Sequence, residues 1–134
     1  MTSTRPGPHA RLAGGLLLWY GVLGGAVAWA VHLLVGWSLD ELVCAAGSER
    51  VSVVPLWQAV GLAVVIPGLV TVGSLLVAAL VWRHTARAPA TGAEDPAFGR
   101  SRMLAAVGIW ANLLFLAIIV LGGAAVLVFP PCQG

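Results

Sequence analysis

His32 is the one ionisable side chain in the run GGAVAWAVHLLVGW, residues 24–37. An imidazole can bind a haem iron, contact a quinone, relay protons or make a structural hydrogen bond. Burying it without a partner would be costly, so each interpretation needs a second group nearby. Two interpretations stay open: a structural hydrogen bond or inter-subunit contact, and a contact with a quinone or with a partner's cofactor. His32 is thus the candidate cofactor-binding residue, while no cofactor is predicted for the chain itself.

The other residues that could take part in catalysis do not complete a known arrangement. A bis-histidine haem site lacks its second ligand, because His9 and His84 both lie outside the apolar segments. A Ser/His/Asp set is excluded because Asp40 and Asp95 flank different segments. The chain has no lysine, so it cannot form a phosphate loop that ends in Lys, and it shows no zinc-ligand spacing. We therefore predict a protein without enzymatic activity and without a metal site.

The composition indicates the surroundings of these side chains. Of 134 residues, 60% are hydrophobic and 9% are charged, and the mean hydropathy is +0.98. A soluble domain normally carries about 25% charged residues, whereas a surface that faces lipid needs none. The few basic residues do not form the clustered patch that binds nucleic acid, so nucleic acid is not an expected partner.

Three apolar segments exceed the roughly 20 residues that cross a bilayer as a helix. We predict an all-α integral membrane protein with three transmembrane helices in a small bundle. Pro67 predicts a kink in the second helix. The first segment is too long for the apolar part of a cleaved signal peptide, so we expect it to be retained. The predicted order is a tail at 1–11, helices at 12–39, 55–82 and 103–129, loops at 40–54 and 83–102, and a tail at 130–134.

The arginines predict the orientation of the bundle. Six of the seven lie in 1–11 and 83–102, and only Arg50 lies in the other loop. The excess of positive charge on cytoplasmic loops places the N-terminus and the longer loop in the cytoplasm. Cys44 and Cys132 then both lie on the oxidising side, at the outer ends of the first and third helices. Two separate free thiols are the alternative, but the shared compartment favours a disulfide between them.

Small residues and a few polar ones predict how the helices pack. Four small residues share one face of the first helix with His32, so another helix can approach closely and His32 points into that interface. Gln58 lies at a similar depth on the second helix and is the predicted hydrogen-bond partner of His32. Ser74 and Asn112 are predicted to make further contacts between helices, worth about 0.6–2 kcal/mol each. The small residues are Gly21, Gly25, Ala28 and Gly36.

Two short runs carry a resemblance to a known family: AWAVHLLVGWSLDELVC at 28–44 and LVFPPC at 127–132. The chain resembles small three-helix bacterial membrane proteins encoded beside subunits of haem–copper terminal oxidases, the cytochrome c oxidases. The resemblance implies a multi-pass protein of the bacterial inner (cytoplasmic) membrane that acts in aerobic respiration, and it implies no catalytic mechanism. The positions that match are Trp29, His32, Cys44 and Cys132.

These observations lead to two main functional hypotheses. The first is a non-catalytic accessory or assembly protein associated with a respiratory terminal oxidase, whose partners are the lipid bilayer and either larger oxidase subunits or further copies of itself. The second is a small oligomeric transporter or channel, although a substrate path normally shows more polar residues within its helices. A membrane subunit that contacts a quinone or a haem through His32 is a further alternative.

Overall fold

The computed structural model of the chain describes residues 8–47, 50–51, 54–87 and 96–129. Three helices dominate, and each contacts the other two. A short antiparallel strand pair lies between the first two helices, with Arg50 opposite Pro55 and Val51 opposite Val54. In chain order the elements are α1 (Pro8–Ala46), β1 (Arg50–Val51), β2 (Val54–Pro55), α2 (Leu56–Ala86) and α3 (Pro96–Val128).

All three helices are long and apolar enough to span a membrane. The candidate spans are Leu12–Ala46, Leu56–Ala86 and Gly99–Val128. Most of their large apolar side chains point outward, which suits a bundle whose outer solvent is lipid. The predicted all-α bundle of three helices, each long and apolar enough to span a membrane, is confirmed.

The helices extend beyond the apolar runs from which their positions were predicted. α1 continues past Leu39 through Asp40 to Ala46, and α3 starts at Pro96 rather than at 103. The reason is that polar residues can continue an α-helix once it has left the lipid. α1 ends where Gly47 takes a φ of 60° and its N–H bonds the carbonyl of Val43, since glycine adopts this left-handed conformation without strain.

The centre of the bundle is made of small side chains. Ala28, Ala78 and Ala105 are buried, and a Cβ atom added at Gly108 would lie 2.8 Å from the carbonyl oxygen of Gly21. Small residues let helix backbones approach closely, which is how helices gain packing energy in lipid, where no hydrophobic effect drives them together. The three helices therefore meet most closely near Gly21, Ala78 and Gly108.

Candidate functional site around His32

His32 donates its hydrogen bond to the backbone of α2. Its Nδ1 lies 2.8 Å from the carbonyl oxygen of Ala63, and the residue is only 9% exposed. A carbonyl oxygen can only accept a hydrogen bond, so Nδ1 carries the proton. The imidazole is thus held in one tautomer by a neighbouring helix.

Pro67 explains why the Ala63 carbonyl needs this partner. In an α-helix, the N–H of each residue bonds the carbonyl four residues earlier, and Pro67 has no N–H to offer Ala63. An unpaired carbonyl at this depth would be expensive, because lipid supplies no donor. His32 replaces the donor that Pro67 lacks, so α2 keeps its proline with the help of α1. The kink predicted at Pro67 stays a prediction.

The expected pairing of His32 with Gln58 is replaced by the pairing with Ala63. The Gln58 side chain is exposed near the start of α2, five residues or about 8 Å before Ala63 along the helix axis. Depth alone suggested Gln58, and depth does not say which way a side chain points. Pro67 is the signal in the sequence that could have identified the acceptor, because it predicts an unbonded carbonyl four residues earlier.

The second ring nitrogen of His32 faces α3. A Cβ atom added at Gly122 would lie 3.1 Å from Nε2, so the glycine leaves room beside this atom. With the proton on Nδ1, Nε2 of the neutral imidazole is an acceptor. Among the described residues, no group donates a hydrogen bond to it. The site therefore presents one acceptor next to α3, on a side chain that is itself only 9% exposed.

His32 lines a cavity of about 460 Å³ to which all three helices contribute. On α1, His32, Gly36 and Asp40 follow each other at intervals of one turn along the cavity wall. Asp40 and His32 supply its ionisable side chains, since the rest of the lining is glycine, alanine, aliphatic residues and one phenylalanine. Further lining residues are Leu39, Val43, Val60, Val64, Val126 and Phe129.

Asn112 of α3 binds the backbone of α1 at two points. Its Nδ2 donates to the carbonyl of Gly21 at 2.7 Å, and its Oδ1 accepts from the N–H of Gly25 at 2.9 Å. Nδ2 also donates to the carbonyl of Gly108 on its own helix. Gly21 and Gly25 are four residues apart, so the Asn112 side chain bonds one carbonyl and one N–H that lie about a turn apart on α1. A Cβ at Gly25 would collide with Asn112 Oδ1, which explains the glycine there.

Ser74 and Tyr20 join α1 to α2, because each side chain donates a hydrogen bond to a backbone carbonyl of the other helix. Ser74 Oγ donates to the carbonyl of Tyr20 at 2.6 Å, and the Tyr20 hydroxyl donates to the carbonyl of Val70 at 2.9 Å. Buried Thr71 bonds the carbonyl of Pro67 on its own helix. Ser74 thus makes a contact between helices, as Asn112 does. The Tyr20 contact was not predicted from the sequence, although a tyrosine one residue, or about 100°, before Gly21 is long enough to reach across the interface.

Trp29 packs between α1 and α3. Its ring centroid lies 5.4 Å from that of Phe115, at an interplanar angle of 34°. Its Nε1 is buried and has no hydrogen-bond partner in the part of the chain that the structure describes. Trp29, one of the four positions that the family resemblance singled out, thus makes an aromatic contact between helices.

The small residues predicted on one face of α1 have different surroundings. A Cβ at Gly21 would lie 3.2 Å from the backbone nitrogen of Ala78, whereas a Cβ at Gly36 would meet nothing within 4 Å. Gly36 therefore lines the cavity, and Gly25 and Ala28 are buried with Gly21. Gly24, which was not predicted, is just as closely packed, because a Cβ there would lie 2.7 Å from Ser74 Oγ.

The predicted disulfide falls partly outside the described residues. Cys132 is not among them, and Cys44 is not a free thiol. The pairing of Cys44 with Cys132 therefore stays a prediction. Within the described ranges, no three histidine, cysteine or acidic side chains are grouped so that they could hold a metal ion.

No protein-family model, curated protein or solved structure matches the chain. Nothing in these comparisons links it to oxidase-associated proteins. Its function must therefore be argued from the geometry of the bundle and its cavity.

Proposed function

We propose that the protein is a non-catalytic integral membrane accessory or assembly protein that binds a larger membrane protein through the outer face of α3. The placement of Trp110 carries this proposal. Its side chain is 75% exposed, and it lies about 5 Å along the helix from the middle of the span Gly99–Val128.

The other outward tryptophans have a different placement. They lie roughly 12–21 Å from the middle of their spans, as tryptophans at the two membrane–water interfaces do. An exposed indole near the middle of a span has its N–H in hydrocarbon, where lipid tails offer no acceptor. A partner helix can supply that acceptor, and tryptophan is one of the residues enriched in the central, energetically important part of protein interfaces. The tryptophans near the interfaces are Trp19, Trp37, Trp57 and Trp82.

Trp110 does not stand alone on this face. Val107 and Leu114, one turn on either side, are also exposed, and the three residues follow the spacing at which a second helix packs along the first. We call Val107, Trp110 and Leu114 the α3 face. A helix of a larger subunit placed on it would cover a continuous apolar surface.

The bundle interior supports a packing role rather than a transport path. Thr71, Ser74 and Asn112 are fully buried, and each donates to a backbone carbonyl. A path for ions or polar solutes needs groups that face a water-filled route, whereas Ser74 and Asn112 hold helices together and Thr71 bonds within α2. An oligomeric transporter or channel is therefore the less favoured candidate.

The identity of the partner and the orientation are parts of the same proposal. The resemblance at 28–44 and 127–132 supports a respiratory terminal oxidase as the partner, in the inner membrane of a bacterium. The arginine distribution supports a cytoplasmic N-terminus. Reporter fusions in the loops test the orientation: activity of a periplasmic reporter placed in 83–102 would contradict it.

Site-specific photocrosslinking tests the α3 face. A benzophenone amino acid replaces Trp110 in one variant and Leu69 of α2 in a matched control. Leu69 is 67% exposed and lies about 3 Å from the middle of its span, so the two positions match in exposure and depth. Both proteins are irradiated in native membranes, and the products are identified by mass spectrometry.

We expect the Trp110 position to form a product with one larger membrane protein and the Leu69 position to form only lipid adducts. Terminal oxidase subunits in that product would support the oxidase assignment, and a different membrane protein would support docking while contradicting the oxidase. Lipid adducts alone at both positions would refute docking through the α3 face.

A further inference from the structure

We infer that the cavity beside His32 binds a neutral, apolar, membrane-soluble molecule that carries a hydroxyl group, of the class of phenols and hydroquinones, and that this hydroxyl donates to His32 Nε2. This inference goes beyond the proposed function and does not rest on it, because the cavity lies between the helices and the α3 face points outward.

The tautomer of His32 selects the ligand chemistry. Ala63 accepts the Nδ1 proton at 2.8 Å, so Nε2 of the neutral ring is left as an acceptor. An acceptor is satisfied by a donor such as a hydroxyl. A ketone or a quinone offers only carbonyl oxygens, which cannot bond to Nε2 in this state. The reduced, hydroxyl-bearing form of such a molecule therefore fits the site better than the oxidised form.

The surroundings of His32 favour a hydrogen bond between Nε2 and a ligand. His32 is 9% exposed, and no described residue donates to Nε2. In surroundings of low dielectric constant a hydrogen bond is stronger than in water, so a ligand hydroxyl gains by donating to Nε2. The position of Gly122 keeps access open, since a Cβ there would stand 3.1 Å from Nε2.

The walls of the cavity indicate the rest of the molecule. A volume of about 460 Å³ falls within the roughly 300–1,000 Å³ of ordinary ligand pockets. Apart from His32 and Asp40 its lining is apolar, which favours an aromatic or aliphatic body. Asp40 lies eight residues, or about 12 Å, beyond His32 along α1. An acidic side chain there disfavours carboxylate or phosphate head groups, so the occupant is a neutral molecule rather than a fatty acid or an anionic lipid.

The experiment compares 4-hexylphenol with its methyl ether, 4-hexylanisole, which has the same body but no donor. Binding is measured on the full chain in lipid nanodiscs, and partition into empty nanodiscs is subtracted. The phenol should bind at least about fivefold more tightly than the ether, the effect of one buried neutral hydrogen bond. In ¹⁵N-histidine-labelled protein, the phenol alone should move the Nε2 resonance of His32.

Gly122→Ala tests whether His32 is the acceptor. The added methyl crowds Nε2 and leaves the bond to Ala63 untouched, so the preference for the phenol should disappear. Gly61→Ala is the matched control, because a Cβ there meets nothing within 4 Å and the residue does not line the cavity. That variant should keep the preference of the wild type.

Four results would overturn the inference. Equal binding of phenol and ether would mean that the cavity accepts apolar molecules without using His32. Absence of binding above the empty-nanodisc level would remove the site. A preference that survives Gly122→Ala, or a phenol that binds without moving the His32 resonance, would place the hydroxyl elsewhere. The resonance is measured on the wild type, so the inference can be refuted even if Gly122→Ala does not fold.

Discussion

Because His32 supplies the Ala63 carbonyl with the donor that Pro67 lacks, we expect His32 and Pro67 to be energetically coupled. His32→Leu removes the Nδ1 donor while nearly keeping the side-chain volume, so the carbonyl of Ala63 loses its partner. A buried acceptor left unpaired costs about 1–3 kcal/mol. In a Pro67→Ala background, residue 67 regains an N–H that can bond Ala63 within α2. There His32→Leu should cost less, by about 1–2 kcal/mol, because the carbonyl keeps a donor.

The assay is a double-mutant cycle on four proteins: wild type, the two single variants and the double variant. Reversible unfolding in mixed micelles, titrated with SDS and followed by helicity, gives the free energy of unfolding of each. Gln58→Leu, alone and with Pro67→Ala, is the matched control, because Gln58 is exposed and His32 bonds Ala63 instead of it. Its effects should add to those of Pro67→Ala to within about 0.5 kcal/mol.

The refuting result is additivity in the test cycle. If His32→Leu costs the same in both backgrounds to within about 0.5 kcal/mol, the imidazole does not replace the donor that Pro67 lacks. The role given to the tautomer would then lose its basis, because the bond to Ala63 would not matter to the fold.

The remaining predictions concern packing and the cysteines. Asn112→Ala should lower the free energy of unfolding by about 1–4 kcal/mol, measured by the same titration, because two bonds between helices worth about 0.6–2 kcal/mol each are lost; an unchanged midpoint would contradict this. Gly108→Ala should destabilise by about 1–3 kcal/mol through a clash with the α1 backbone, whereas Gly99→Ala, in open space, should be neutral or slightly stabilising. Cys44 and Cys132 should react with a maleimide–polyethylene glycol only after reduction, seen as a gel shift; labelling of both without reductant would exclude the disulfide.

The number and approximate positions of the helices could be predicted from apolar runs, because hydrocarbon requires such runs whatever the fold. Their ends could not. α1 passes Leu39 by seven residues, since the end of an apolar run marks where lipid stops and not where helical bonding stops. The strand pair after α1 was not predicted either. Each strand, such as Arg50–Val51, has only two residues, which is too short to show a periodic pattern.

The polar residues in the sequence predicted which positions lie between helices better than they predicted the hydrogen-bond partners of those side chains. Ser74 and Asn112 were expected to bond across helices, and both donate to backbone carbonyls of α1. Such acceptors exist at every residue, so sequence does not single one out. The Ala63 carbonyl is the exception, because Pro67 leaves it without a donor and thus identifies it. The choice of Gln58 as the partner of His32 was wrong because it considered only side chains, whereas the acceptor is the backbone carbonyl of Ala63.

The three bonds of Asn112 also bear on the order in which the bundle is assembled. Synthesis from the N-terminus delivers α1 and α2 to the membrane before α3, and that pair is already joined through Ser74, Tyr20 and His32. α3 arrives last with an amide that lipid cannot satisfy and that α1 can. Sliding α3 by one turn would separate Asn112 from both Gly21 and Gly25 at once. A single side chain therefore fixes the register of the last helix to enter.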